Sequence, residues 1–169
     1  MITLRKAKEE DLPVIQQIGI TTYGPTYTHL IGQEQVDFML DKFYSIFALR
    51  QQLIDGHTFI IAQETGKDLA FASYSIGDHD SVIKLHKLYV LPEAHGKGLG
   101  KLLINEVRNK AIEAGAKSLE LNVNRYNKAK DFYEKAGFKI KETVDIEIGN
   151  GFFMNDYVMA LALTPQNPA

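Results

Sequence analysis

His95-Gly96-Lys97-Gly98-Leu99-Gly100-Lys101 is the stretch on which the reading of this chain turns. It follows Lys87-Leu88-Tyr89-Val90-Leu91, whose β-branched and aromatic content reads as a strand. It precedes Leu99, Leu103, Val107 and Ala111, which recur at helical spacing, with Leu102 and Ala114 widening the stripe. Three glycines and two lysines therefore sit where a strand hands over to a helix N-terminus. The first turn of a helix leaves backbone N–H groups unpaired, and the macrodipole adds partial positive charge there. Glycine lets a bulky anion approach that backbone closely. The stretch is built to hold phosphate.

Spacing decides among the known phosphate loops. A Walker-type loop needs four residues between its first glycine and the Gly-Lys pair, then Ser or Thr. Here three residues separate Gly96 from Gly100, and Leu102 follows Lys101. The dinucleotide fingerprint would require a glycine at Lys101. Both patterns fail. A plain glycine-rich turn carrying solubilising lysines is the bland alternative, but a short strand–helix connection rarely needs three glycines.

The segment resembles the coenzyme A loop of the GNAT N-acyltransferase superfamily. In that pattern a Gln or Arg is followed, after two residues, by Gly, any residue, and Gly or Ala. His95 takes the Gln/Arg place, Gly98 and Gly100 fill the glycine positions, and Leu88, Tyr89 and Val90 lie in the preceding strand. A second segment strengthens the match. Residues 118–123 read as a strand, and Ala129, Phe132, Tyr133 and Ala136 then recur at helical spacing, with Gly137 as a stop and Phe138 after it. Ala129, Phe132-Tyr133 and Gly137-Phe138 reproduce the family's second motif. Relatives often carry Asn three residues before the Ala. That position is Tyr126 here, so a role on the pantetheine arm is carried over to Asn127.

The rest of the chain reads as a single α/β domain over 1–163 with a frayed, Pro-containing tail at 164–169. Strands are expected at 2–6, 58–63, 69–76, 82–91, 139–148 and 152–163, besides 118–123. Helical pieces are expected from Asp11 and Pro13 to about Tyr23, over 33–42 and over 45–55. The resemblance implies a GNAT fold: a mixed, mostly antiparallel central sheet of about six to seven strands flanked by helices. The 169 residues, 45% hydrophobic and 24% charged, suffice for one real core. A net charge of −2 argues against a nucleic-acid surface. The absence of cysteine excludes disulfides, zinc thiolate sites and a thiol nucleophile, and no metal is expected. No run approaches about 20 apolar residues, and Met1-Ile2-Thr3-Leu4-Arg5-Lys6 lacks a signal-peptide core. The expectation is a cytoplasmic protein without a membrane partner.

The resemblance implies acetyl-CoA as co-substrate and direct acetyl transfer to a primary amine in a ternary complex. Such transfer needs a neutral nucleophile, an oxyanion donor and a proton for the departing thiolate. By resemblance, Tyr133 is the acid, a backbone N–H near Val90 polarises the thioester, and the coenzyme lies against residues 95–101: His95, Gly96, Lys97, Gly98, Leu99, Gly100 and Lys101. Lys97, Lys101, Lys130 and Lys135 are the cations available for coenzyme phosphates. On a regular strand Lys84, His86, Leu88 and Val90 share one face, and His86 has the unperturbed pKa of a base. A water chain to backbone carbonyls is the alternative base. Tyr23, Tyr27, His29, Tyr44, Asp156 and Tyr157 are the candidates for the acceptor pocket. Their aromatic and acidic character suits a cationic amine, and the layout looks similar to polyamine and small-amine acetyltransferases. Two other readings stand beside this one, an acyl-CoA sensor without activity and a peptide or protein N-acetyltransferase. By resemblance alone, a homodimer would form through the late strands.

Overall fold

The middle strands of this chain are apolar on both faces, and helices cover both. The computed structural model describes residues 1–163; the expected tail at 164–169 lies outside them. The strands are β1 (Ile2–Lys6), β2 (Thr58–Glu64), β3 (Lys67–Ile76), β4 (Val82–Val90), β5 (Ser118–Asn124), β6 (Lys139–Gly149) and β7 (Phe152–Ala162). They form one sheet in the order β1-β2-β3-β4-β5-β7-β6. Only β4 and β5 run parallel. The helices are α1 (Leu12–Ile31), α2 (Gln33–Tyr44), α3 (Ile46–Ile54), α4 (Leu99–Glu113) and α5 (Ala129–Lys135).

Strand alternation divides the core in two. Ile60, Ala62, Ala70 and Ala72 point to the side of α4, where Leu103, Val107 and Ala111 are buried without exposure. Phe59, Ile61 and Phe71 point the other way, onto Ile15, Val36 and Leu49 of α1, α2 and α3. The small alanines of β2 and β3 let α4 lie close on the first face, while the phenylalanines fill the space beneath the three helices α1, α2 and α3 on the second.

Two departures from the expected elements have physical causes. The helix expected to end near Tyr23 continues to Ile31, through Pro25. A proline inside a helix removes one hydrogen bond, but Tyr23 and Tyr27 stack one turn apart at 4.5 Å and tertiary contact carries the helix on until Gly32, at φ 87°. The second departure is in β4. Ser73 faces Lys87 and Tyr74 faces Leu85, so His86 is an extra, unmatched residue. A bulge of this kind resets the alternation. Lys84, Leu88 and Val90 therefore do not share a face, as a regular strand would have it: Leu85, Leu88 and Val90 pack toward α4. Lys84 reaches Asn122 on the opposite face, where Lys87 lies over Tyr44 and Tyr89 joins the core beneath α1.

The N-terminal strand is tied down by charge. Arg5 Nη1 donates to Asp11 at 2.9 Å and Nη2 reaches Asp68 at 3.2 Å, linking β1 to the turn before α1 and to β3. The hydrogen bond from Arg5 holds the Asp11 carboxyl below its ordinary 3.8. A depressed carboxylate stabilises the fold above that ordinary value and loses the contribution as pH falls through the folded one. Asp11→Asn should cost about 1 kcal/mol at pH 7, given partial solvent access. Urea titrations at stepped pH should show that difference constant above pH about 5 and shrinking below about 4; a pH-independent difference would refute the ion pair as its source.

Candidate active site

Parallel pairing between β4 and β5 runs from Val82↔Ser118 to Leu85↔Leu121 and stops. Beyond it the two strands diverge on either side of a cavity of about 640 Å³. The His86 bulge stands at the point of divergence. Just past the end of β4, Leu91 N–H donates to the Leu69 carbonyl of β3 at 2.9 Å. Peptide groups alternate in direction along a strand, so those of Leu88 and Val90 face the opposite side, into the gap. The Val90 carbonyl there accepts from His95 Nε2 at 3.1 Å, which requires the Nε2–H tautomer. His95 thus pins the start of the glycine loop to the end of the strand.

The loop takes the form that its glycines permit. Gly96 has φ 88° and Gly98 φ 76°, and Gly98 is the residue before the first turn of α4. A Cβ on Gly100 would meet the Phe132 ring at 3.4 Å, so α5 closes against the start of α4. Gly96, Gly98, Leu99, Gly100, Lys101 and His95 all line the cavity, as do Leu88, Tyr89 and Val90. Lys97 does not. It is turned away to Glu64 at 3.0 Å. Lys130 is likewise engaged, with Glu134 at 3.0 Å, and Lys135 is exposed. Of the lysines considered for phosphates, Lys101 alone lines the cavity among the described residues.

Asn127 joins three elements at the far wall. Its Nδ2 donates to the Tyr27 hydroxyl at 2.8 Å, and its Oδ1 accepts from Ala129 N–H at 2.9 Å, at the start of α5. Tyr133, one turn on, is buried and lines the same cavity. Burial, then the neighbouring Tyr27, raises its phenol above the ordinary tyrosine value. The ring therefore holds its proton at neutral pH.

A second cavity, of about 410 Å³, lies on the opposite face of the sheet beneath α1 and α2. Tyr23, Tyr27, Tyr44 and Asp156 line it. His29 and Tyr157, expected there, do not. His29 is exposed on α1. Tyr157 follows Asp156 on β7 and so points to the other face, packing toward α4 beneath Lys130. Tyr27, Leu85, His86, Lys87, Tyr89 and Asn122 belong to both cavities, which meet at the bulge.

Three residues of the second cavity went unremarked in the sequence. Lys87 is buried and bonds Gln52 Oε1 at 2.8 Å, and His57 stacks on His86 with centroids 4.1 Å apart. A lysine inside an apolar strand was the one available signal; nothing in the local pattern of His57 or Gln52 marks them. Desolvation by its neighbours, with His57, Lys87 and Lys84 adding to it, lowers the imidazole of His86 from its ordinary value, although the residue is partly open to solvent. Burial and Lys87 also lower His57. Both rings are neutral, which is why they stack.

A splayed parallel strand pair, a glycine loop at a helix start and a buried phenol across the gap thus meet at one cavity. Residues 28–161 match the family model of the acetyltransferase (GNAT) domain. The chain is 34% identical over 155 residues to an uncharacterized N-acetyltransferase of Mycobacterium tuberculosis, covering 90% of this chain and 98% of that one. It is 26% identical over 148 residues to a spermidine N(1)-acetyltransferase of Thermoplasma acidophilum, covering 84% and 91%. The crystal structure of the PaiA N-acetyltransferase of Thermoplasma acidophilum in complex with coenzyme A superposes with a TM-score of 0.80 at 24% identity, over 96% of this chain and 99% of that one. This chain belongs to the GNAT acetyltransferase family. Its sheet and helices are those of the GNAT fold. No helix among the described residues is long and apolar enough to cross a membrane.

Removing His86 leaves every other side chain of β4 on its present face, because the bulge is the only break in alternation there. The deletion variant should fold, with a far-UV spectrum like that of the parent, while coenzyme A binding measured by calorimetry falls at least about tenfold. Unchanged coenzyme A affinity would show that the bulge does not open the gap.

Proposed function

We propose that this protein transfers the acetyl group of acetyl-CoA to the amine of a small molecule, directly and without a covalent enzyme intermediate. The observation that carries this is the meeting of the two cavities at the divergence of β4 from β5. The coenzyme takes the cavity beside the glycine loop, with its phosphates on the N–H groups of the first turn of α4 and on Lys101. Its pantetheine arm completes the sheet edge offered by Leu88 and Val90, passing Asn127. The acceptor takes the cavity on the other face.

In the transfer the amine nitrogen bonds to the thioester carbon, the C–S bond breaks, the nitrogen loses a proton and the sulfur gains one. A β4 N–H near Val90 stabilises the developing oxyanion, and is already oriented by the strand before reaction. Tyr133 gives the proton to the thiolate. Its raised pKa fits that task, since a donor must be protonated at working pH. His86 stands where a base is needed, but its lowered pKa makes it too weak to keep the proton. It accepts only in passing, with Ser75 Oγ at 2.6 Å from Nε2 as its partner. Acceptors small enough for the second cavity fit this arrangement. Tyr27 and Gln35 hold α1 and α2 over the cavity through Asn127 and the Phe153 carbonyl, which favours a small acceptor over a peptide chain.

Tyr133→Phe should lower kcat by about 10²-fold or more, within the range of general acid catalysis, while acetyl-CoA affinity by calorimetry stays within twofold. Equal turnover would remove Tyr133 from the chemistry; turnover absent from the parent as well, with acetyl-CoA still bound, would favour a sensor. The pH profile of kcat/KM should show no limb near pH 6.5 that His86→Gln abolishes, because the folded imidazole titrates far below that. A limb at that pH lost in the variant would make His86 the full base.

A further inference from the structure

The acceptor cavity carries more positive charge than negative. Lys84 and Lys87 line it, against one carboxylate, Asp156. Lys84 and Asp156 are neighbours through Asn122: the lysine donates to its Oδ1, and burial raises the Asp156 carboxyl while the Asn122 side chain and Lys84 draw it back toward the ionised form. These two charges answer each other. Lys87 has no such counterpart. It is 8% exposed, and no carboxylate among the described residues lies within 4.0 Å of its Nζ. Its one hydrogen-bond partner is Gln52, and the Tyr44 ring lies 5.2 Å away. An ammonium has three protons to place. The neighbouring His57 and His86 offer no negative charge in either protonation state.

A charge buried without a partner is costly, and the ordinary remedy is an anion. We propose that the acceptor brings that anion: it is an amine with a carboxylate close to its nitrogen, an amino acid or a near analogue, and Lys87 is the residue that holds the carboxylate. The inference rests on the acetyl-transfer reading of this site and names its substrate class. Lys87 lines both cavities, so a carboxylate bound to it lies beside the reacting centre. Only a few bonds then separate carboxylate from nucleophilic nitrogen. The substituent of such an acceptor runs toward Tyr23, Met39, Phe43 and Tyr44, an apolar and aromatic wall that suits a hydrocarbon or aromatic side chain. A polyamine, wholly cationic, meets two lysines instead, one of them buried. Burial alone moves Lys87 down to about 8, and a bound carboxylate would restore its charge fully.

The test follows coenzyme A release from acetyl-CoA with leucine, methionine, phenylalanine and glutamate, with the carboxamide of each, and with spermidine. The parent protein should prefer at least one free acid over its carboxamide by about 10- to 100-fold in kcat/KM, the range of a charge-assisted hydrogen bond. In Lys87→Gln that preference should fall toward one, through KM rather than kcat, and Lys87→Arg should restore part of it. Carboxamides or spermidine used as well as the acids would overturn the proposal and leave the transferase intact. An acid preference that survives Lys87→Gln would overturn the role of Lys87. Release with none of these acceptors would count against the transfer reading and this proposal together.

Discussion

The parting of β4 from β5 after the Leu85–Leu121 pair is the constraint on which the rest of this structure depends. Two parallel strands that pair along only half their length leave backbone donors and acceptors facing nothing. Such groups require partners. His95 supplies one, to the Val90 carbonyl, and the others stand ready for an extended ligand that behaves as a temporary strand. The bulge at His86 lets β4 bend away without turning its buried side chains to the wrong face, because one extra residue restores the alternation on the far side.

A sheet opened in the middle joins its two faces. Elsewhere the faces are sealed from each other by separate apolar cores, one under α4 and one under α1 to α3. At the bulge they communicate, and each face contributes what its helices can offer. The α4 side brings the glycine loop and the start of a helix, which suit phosphate. The α1 and α2 side brings a tyrosine-rich hollow, which suits a small organic acceptor. Tyr27 and Asn127 bridge the two, by a single 2.8 Å hydrogen bond between α1 and the turn before α5.

Burial then sets the chemistry of the groups at the junction. It raises Tyr133 and brings Tyr27 up to about 12, so both phenols keep their protons. It lowers His57, His86 and Lys87 in the same region. Desolvation disfavours whichever form is charged, so one physical effect produces neutral phenols and neutral imidazoles together. The lysine is the exception that keeps much of its charge near neutral pH, and it is the group without a carboxylate beside it.

Much of this was readable from the sequence. Apolar periodicity located every strand and helix to within a few residues, apart from the C-terminal part of α1, which runs on past the end expected near Tyr23, through Pro25, as Tyr23 packs on Tyr27. The spacing of Gly96, Gly98 and Gly100, and of Ala129, Phe132 and Tyr133, marked the loop and the phenol, because those positions answer to local rules of turn geometry and helical repeat. The acceptor side was legible only in part. Tyr23, Tyr27, Tyr44 and Asp156 were found, while His29 and Tyr157 were misplaced. Which way a side chain points depends on strand parity and helix rotation, and a one-residue bulge changes the first without any signature in composition. Local order, then, the amino-acid sequence determined by itself, since neighbours along the chain decide it. The grouping of Lys87, His57 and Gln52 around a common hollow was decided by the tertiary structure alone, because residues 30 to 35 positions apart meet there through the packing of α3 and β2 against a bent β4.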